Sequence, residues 1–565
     1  MLPLFVLLAA QVDPLAPLPT AKVPTVSVPA TPPPGPALVP IAPVVVPKDW
    51  RAEFAAIRAG DWAGATAGIA ALPDGLLKPV AKAELYLTKG SPVVSIDDLQ
   101  GLLNEAPELA QAEQIERLAA SRGSIQVMAI PEQPVIGLGA GPRRGRSKPV
   151  GGDPLADQLR SALDPLLKID SADAAEALML QSAPLLTPEG RAEAAQRVAW
   201  SYYSLGRDAD AVRVAEAGRV GAAGDWAVNA SWVSGLASWR LNDCTSAGAR
   251  FREVSAGTRE SELAAAANYW AARAAQACRQ PEAVAPLLKA AARSPESFYG
   301  LVARETLGMP TRLPAASATD THAVETLPNV RRAIELANIG ERTLAEEALR
   351  HQARIGRAAD QRALIAVAQK LDLAGAQYWL ATNGQPGASV EAAAHYPRPR
   401  WTPQNGWRVD PALALGHALQ ESAFRTTAVS QAGAVGLMQV RPGTAGDTAR
   451  GRGASFATAD LTDPSINLDY GQAFIELLRS NAATRGQLPR VIAAYNAGPV
   501  PVERWNAIAD KGDPLLWIES IPYWETRYYV PAVMRNMWVY QGLAGGEQPT
   551  LRAMAQHKWP AFPAR

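Results

Sequence analysis

The sequence predicts an all-α protein, a solenoid of helical hairpins followed by a second helical region, and three observations carry that expectation. The chain has 565 residues and 48% apolar content, yet no stretch alternates apolar and polar residues long enough for a sheet. Small and aromatic residues recur at a period of 36: Ala199, Gly235 and Ala271; Tyr203, Trp239 and Ala275; Ala211, Ala247 and Ala283. That period lies near the ~34 residues of known helix-hairpin repeats, in which small residues let paired helices approach. Asp410-Pro411 and Asp463-Pro464 are helix starts, an N-cap followed by proline at the first helical position.

Taken in order, residues 2–10 are a short apolar run ending in Ala9 and Ala10, which reads as an export signal lacking its basic leader. The run is too short to span a bilayer, which needs ~20 apolar residues. No cysteine follows it, so no lipid anchor is expected. Residues 11–48 form a proline-rich tether; twelve prolines fall between 11 and 47, with only Asp13 and Lys22 as charges. Such text cannot build helix ladders and favours extended chain. Residues 49–310 are alanine-rich and read as the superhelical repeat region. Within it, "PEQPVIGLGAGPRRGRSKPVGGDP" (131–154) reads as a flexible insertion whose basic run is solvated. Residues 311–400 read as a helical linker, 401–545 as a C-terminal domain and 546–565 as a tail.

Composition narrows the function. There are 55 basic and 54 acidic residues, a net charge of about +1, so the basic excess of a nucleic-acid binder is missing. The five histidines are scattered, with no pair at i, i+3 or i, i+4, and no metal or other cofactor is expected. Cys244 and Cys278 lack metal-ligand spacing; in an exported chain they could pair.

The chemistry concentrates after residue 410. On a 3.6-residue period Leu413, His417, Gln420 and Phe424 share a helix face, and Glu421 lies on the same side. A carboxyl on an apolar face has its pKa raised by desolvation and can serve as a general acid. Glycines at 433, 436 and 443 punctuate the next stretch, and Gln439 offers an amide for sugar hydroxyls or an N-acetyl group. No Asp or Glu occurs from Ala423 to Gly446. Further on, Asn496 follows Tyr495, and Glu519, Glu525, Arg527, Tyr528 and Tyr529 cluster at the start of the last long helix. Aromatic faces beside carboxylates and amides suit a polysaccharide groove.

In order, "ALQESAF", "VSQAGAVGLMQVRPGTA", "NLDYGQAFI", "IAAYNAGP" and "ESIPYWETRYYV" resemble the catalytic domain of the soluble lytic transglycosylases, which cleave peptidoglycan. The resemblance covers about 150 residues strongly, and 150–545 more loosely. It implies a lysozyme-like C-terminal domain behind an α-superhelix, glycan strands as partner and a periplasmic location; it leaves protein partners open. Carried onto this chain, Glu421 is the sole catalytic acid and base, and Tyr495 supports it and the reacting sugar. Gln439, Ser430 and Glu525 are groove positions, with Asn496 and Tyr528 beside them. Arg441 departs from the family, which often has methionine there, and leaves Met438 as the apolar surface for a sugar ring.

One carboxylate suffices if the substrate supplies the second group. The resemblance implies cleavage between N-acetylmuramic acid and N-acetylglucosamine with closure of a 1,6-anhydro ring, helped by the 2-acetamido group. Two alternatives remain: a muramidase on the same fold, in which a second carboxylate holds water, and a non-catalytic glycan-binding scaffold.

Overall fold

The computed structural model describes residues 44–124, 129–139 and 141–563. The expected signal and nearly all of the tether lie outside the described residues. The architecture is all-α, with 27 α-helices among the described residues. No helix among them is long and apolar enough to cross a membrane. The sole sheet among them is a two-residue antiparallel pair, Ile136–Gly137 with Asn383–Gly384, which the sequence did not signal.

The 36-residue period is a real hairpin repeat. Ala199, Gly235 and Ala271 sit on helices Pro188–Ser204, Gly224–Arg240 and Ser261–Ala277, while Ala211, Ala247 and Ala283 sit on their return helices, Asp208–Arg219, Cys244–Gly257 and Pro281–Ala292. The small residues are needed because aromatic rings fill the space between layers. A Cβ on Gly235 would lie 2.8 Å from the Phe251 ring. Cys244 and Cys278 form a disulfide that ties the start of one helix to the end of the next.

The helices before residue 122 do not continue this solenoid. They share a hydrophobic core with residues 324–394, so Leu99, Leu102 and Ile115 pack together with Leu336, Leu349 and Leu380. A second core joins the repeat helices to the C-terminal region. The expectation of one solenoid over 49–310 is corrected accordingly. Alanine-rich helical text signals hairpins without saying which neighbour each one covers. Residues 546–565, expected as a tail, include helix Pro549–Ala555, whose Leu551 and Met554 are buried, and Trp559, whose ring meets Trp517.

The insertion is a docked strap. Gln133 N–H donates to Arg354 O (2.9 Å) and Leu138 N–H to Thr382 O (2.9 Å), along the linker helices. Gly145 N–H then reaches Glu260 Oε1 (2.9 Å) and Val150 N–H reaches Glu193 Oε2 (2.8 Å), while Trp226 Nε1–H donates to Lys148 O (2.9 Å). The expected solvated basic run instead sends Arg144 inward; its side chain is 5% exposed. Its guanidinium makes two hydrogen bonds to Glu519 (2.9 and 3.0 Å) and lies against the rings of Trp232 and Tyr528. Burial without charge compensation would be prohibitive, so the pairing is what permits it.

Candidate active site

Helix Pro411–Ser422 carries Glu421 on its last turn. Asp410 starts it, accepting from Ala412 N–H (2.8 Å) and from Gln541 Nε2–H (2.7 Å) of the last long helix, Trp524–Leu543. Gly416 lets these two helices touch backbone to backbone: a Cβ there would be 3.1 Å from Val533 O and 3.2 Å from Met537 N. The close approach brings Tyr529 to Glu421. Past Ser422 the chain turns sharply, with Ala423 and Phe424 both at positive φ (52° and 62°), a conformation rare outside glycine.

Tyr529 donates a short hydrogen bond to Glu421 Oε1. The same hydroxyl lies 2.8 Å from Nδ1 of His417, which is fully buried one helical turn earlier. A tyrosine hydroxyl has one proton. If it goes to Glu421, the His417 Nδ1 must be the donor, which fixes the neutral Nδ1–H tautomer. Desolvation agrees, pushing the His417 pKa down to about 3. Burial, with help from the negative charge of Glu525, raises the Glu421 carboxyl to about 7 against the Tyr529 bond, which lowers it. Near neutral pH, then, much of Glu421 keeps its proton, as a general acid must.

Glu421 lines a cavity of about 360 Å³, with Gln420, Asn496, Trp524, Glu525 and Tyr528 around it. The opposite wall comes from the strap (Pro142, Arg143, Arg144) and from the superhelix (Glu262, Phe298, Tyr299). Asn496 and Glu525 face each other, 3.3 Å apart. Of the sequence-predicted residues, Glu421, Asn496, Glu525 and Tyr528 thus share one cavity.

The others brace the loop beside it. Tyr495 donates to Met438 O (2.7 Å), and its ring packs on His417. Ser430 Oγ accepts from Ala434 N–H (3.0 Å) inside a turn. Gln439 spends its amide N–H groups on Ala428 O (3.1 Å) and Gly436 O (2.9 Å). Met438, expected under a sugar ring, is fully buried. It fills the space opposite Gly471, where a Cβ would come within 2.3 Å of its sulfur, and its N–H donates to Asn467 Oδ1 (2.8 Å). Arg441 is exposed, at the N-cap of helix Pro442–Gly451, and does not line the cavity.

Sequence reasoning missed three things. Tyr529, and not the expected Tyr495, donates the hydrogen bond to Glu421, and only the helical phase against the Pro411–Ser422 helix turns it, rather than Tyr528, toward the glutamate. Arg143 and Arg144 enter from an insertion that reads as loop. Glu262, 7% exposed, lines the cavity from the superhelix; its Oε2 accepts from Phe298 N–H (3.1 Å), its Oε1 has no partner among the described residues, and burial raises its pKa.

Residues 402–518 match the family model described as transglycosylase SLT domain. The similarity to that family lies within the C-terminal region. That region is 33% identical over 158 residues to the soluble lytic murein transglycosylase of Escherichia coli K12, and 37% identical over 123 residues to the membrane-bound lytic murein transglycosylase C of Haemophilus influenzae strain PittEE. The first match takes in 27% of this chain and 24% of that relative; the second, 20% and 34%. The matched segment thus spans about a quarter of the first relative's length. Over about nine-tenths of the chain the fold is similar to two solved structures. One is the lytic transglycosylase Slt of Pseudomonas aeruginosa, solved as an inactive mutant (TM-score 0.55, 20% identity, 89% of this chain and 82% of that one). The other is the 70 kDa soluble lytic transglycosylase of Escherichia coli (TM-score 0.55, 16% identity, 91% and 99%). The fold is therefore a superhelix followed by a lysozyme-like domain.

Proposed function

We propose that the protein is a peptidoglycan lytic transglycosylase in which Glu421 acts as acid and then as base. The observation that carries this reading is the half-buried Glu421 carboxyl, held protonated near neutrality on the wall of a cavity in the region similar to SLT domains. Glu421 gives its proton to the glycosidic oxygen between N-acetylmuramic acid and N-acetylglucosamine, and the C1–O4 bond breaks. The 2-acetamido oxygen of the muramic sugar closes on C1 as an oxazolinium ion. The Glu421 carboxylate then takes the proton of the C6 hydroxyl. O6 bonds to C1, the acetamido oxygen leaves, and the glutamate regains its starting state. No water is consumed. A hydroxyl on the same ring has an effective concentration far above that of any external nucleophile. Tyr529 steadies the anionic glutamate between the two half-reactions through its short hydrogen bond. Asn496 and Glu525, on the same wall, contact the glycan. Tyr495, Ser430 and Gln439 hold the loop 428–440 in place beneath it.

One observation favours a second reading. Glu525 shares the cavity and its charge reaches Glu421. A second carboxylate in the same cavity is what a water-using muramidase needs. The two reactions differ in product: anhydro ends from transglycosylation, reducing ends from hydrolysis. Mass spectrometry of muropeptides released from purified sacculi separates them, with Glu421→Gln as the inactive control. The Cys244–Cys278 disulfide supports an oxidising compartment, and with a peptidoglycan substrate the periplasm is the proposed location.

A further inference from the structure

His417 sits one helical turn before Glu421 and never meets solvent. Its Nδ1 lies 2.8 Å from the Tyr529 hydroxyl. Its Nε2 has no partner among the described residues, and its ring packs on that of Tyr495 with centroids 4.4 Å apart. Stability does not call for a histidine here. Tyr529 already has a partner in Glu421, so an apolar side chain in place of His417 would leave no polar group bare. The imidazole, by contrast, leaves one ring nitrogen bare in the core, which is costly. Nor does it trade protons near neutrality, because burial holds its pKa near 3. What it can supply is direction. A tyrosine hydroxyl has one proton to give and accepts on its other side.

Resting on the proposed function, we propose that His417 is a positioning residue: its Nδ1–H fills the accepting side of the Tyr529 oxygen, so that the tyrosine proton points to Glu421 Oε1 and the acid proton of Glu421 is kept on Oε2. Oε2 makes no hydrogen bond among the described residues, on a side chain that lines the cavity. Without the imidazole, the Tyr529 oxygen is open to accept. The protonated Glu421 can then turn its proton onto the tyrosine instead of the glycosidic oxygen. The bare Nε2 fits this assignment. A neutral ring holds one proton, and a buried lone pair without a partner is tolerated more readily than a bare N–H. Two other titratable groups face the trio: Glu525 on the last long helix and Tyr495 on helix Leu488–Ala497. Both stay in place in the variants below, so a shift in the pH profile belongs to His417.

Two measurements on the full-length protein test this. Nitrogen NMR of the histidine side chains at neutral pH, with the His417 signals assigned by their loss in His417→Asn, is expected to show a protonated Nδ1 and a bare Nε2. A proton on Nε2 would overturn the proposal whatever the activity, and this reading needs no folded apolar variant. The second is the pH profile of turnover on a soluble glycan fragment. His417→Leu should lower kcat by about 10-fold with KM little changed, and should move the alkaline limb up by about 0.5–1 pH unit, the worth of one hydrogen bond. His417→Asn, whose amide nitrogen stands where Nδ1 does, should recover most of both. Melting curves matching the parent's exclude misfolding. An unmoved limb in His417→Leu, or equal losses in the Leu and Asn variants, would reduce His417 to packing and overturn the role. Digestion of sacculi by the wild-type protein tests the underlying function separately.

Discussion

At the scale of single residues, the account rests on the Glu421 proton. Replacing Glu421 with glutamine keeps the shape and removes the acid, so turnover should fall by at least ~10²–10⁴-fold while the melting curve stays cooperative. The pH profile follows from the sign of the shift. Glu421 titrates near 7 and is active as the acid, so the rate should decline as pH rises through about 7. Glu525→Gln removes a like charge and should move that alkaline limb to lower pH; an unmoved limb would mean that the two carboxylates are not coupled. Tyr529→Phe removes a bond to the anion and should move the limb to higher pH. It also leaves His417 Nδ1 unpaired in the core, at a cost of about 1–3 kcal/mol. The sequence made Glu421 legible because a carboxylate on an apolar helix face is unusual and its neighbours form a motif. It did not separate Tyr528 from Tyr529. Successive helical residues point about 100° apart, and only the contact at Gly416 sets which of them turns toward the glutamate. Met438 misled for a related reason: an apolar side chain in a glycine-rich loop suits a sugar platform and a core plug equally well, and the notch at Gly471 decides for the core.

Among the elements, the repeat helices were legible and the strap was not. A 36-residue period written in alanine, glycine and large aromatics can only be satisfied by stacked hairpins. The Pro-, Gly- and Arg-rich text of 131–154 has neither helical nor strand period. Its partners (Trp232, Tyr299, Glu519, Tyr528) are distant in sequence, so nothing local announces the docking. Arg144→Met should release the strap, because it leaves Glu519 buried with Tyr299 as its remaining donor. Breaking one half of such a pair costs about 3–5 kcal/mol. Faster tryptic cleavage after Arg143 and Arg146 would report it, and the added substitution Glu519→Gln should recover part of the loss. The disulfide closes a separation of 34 residues, so the Cys244→Ala, Cys278→Ala double variant should lose about 2–4 kcal/mol, read as a lower melting temperature.

For the whole molecule, two cores share the load, and stability and activity pull against each other at the active site. The folded protein binds the Glu421 proton more tightly than the unfolded chain, whose value is near 4.5. That contribution is fully present below about pH 4.5 and is lost as pH rises through about 7. His417 works in the opposite sense. Held near 3 against an ordinary 6.5, it stabilises above about pH 6.5 and loses that contribution as pH falls toward 3. Glu421→Gln should therefore stabilise the protein at pH 8 by on the order of 1–3 kcal/mol and have little effect at pH 4.5, in thermal melts at the two values.

The central claim, that one glutamate closes a ring on the substrate without water, is tested most directly by the mass of what the enzyme releases. Sacculi digested with the wild-type protein should yield muropeptides one water lighter than their reducing-end counterparts, and the Glu421→Gln protein should release none. Release of reducing-end muropeptides by the wild type would contradict the account and make Glu525 the residue that holds the water.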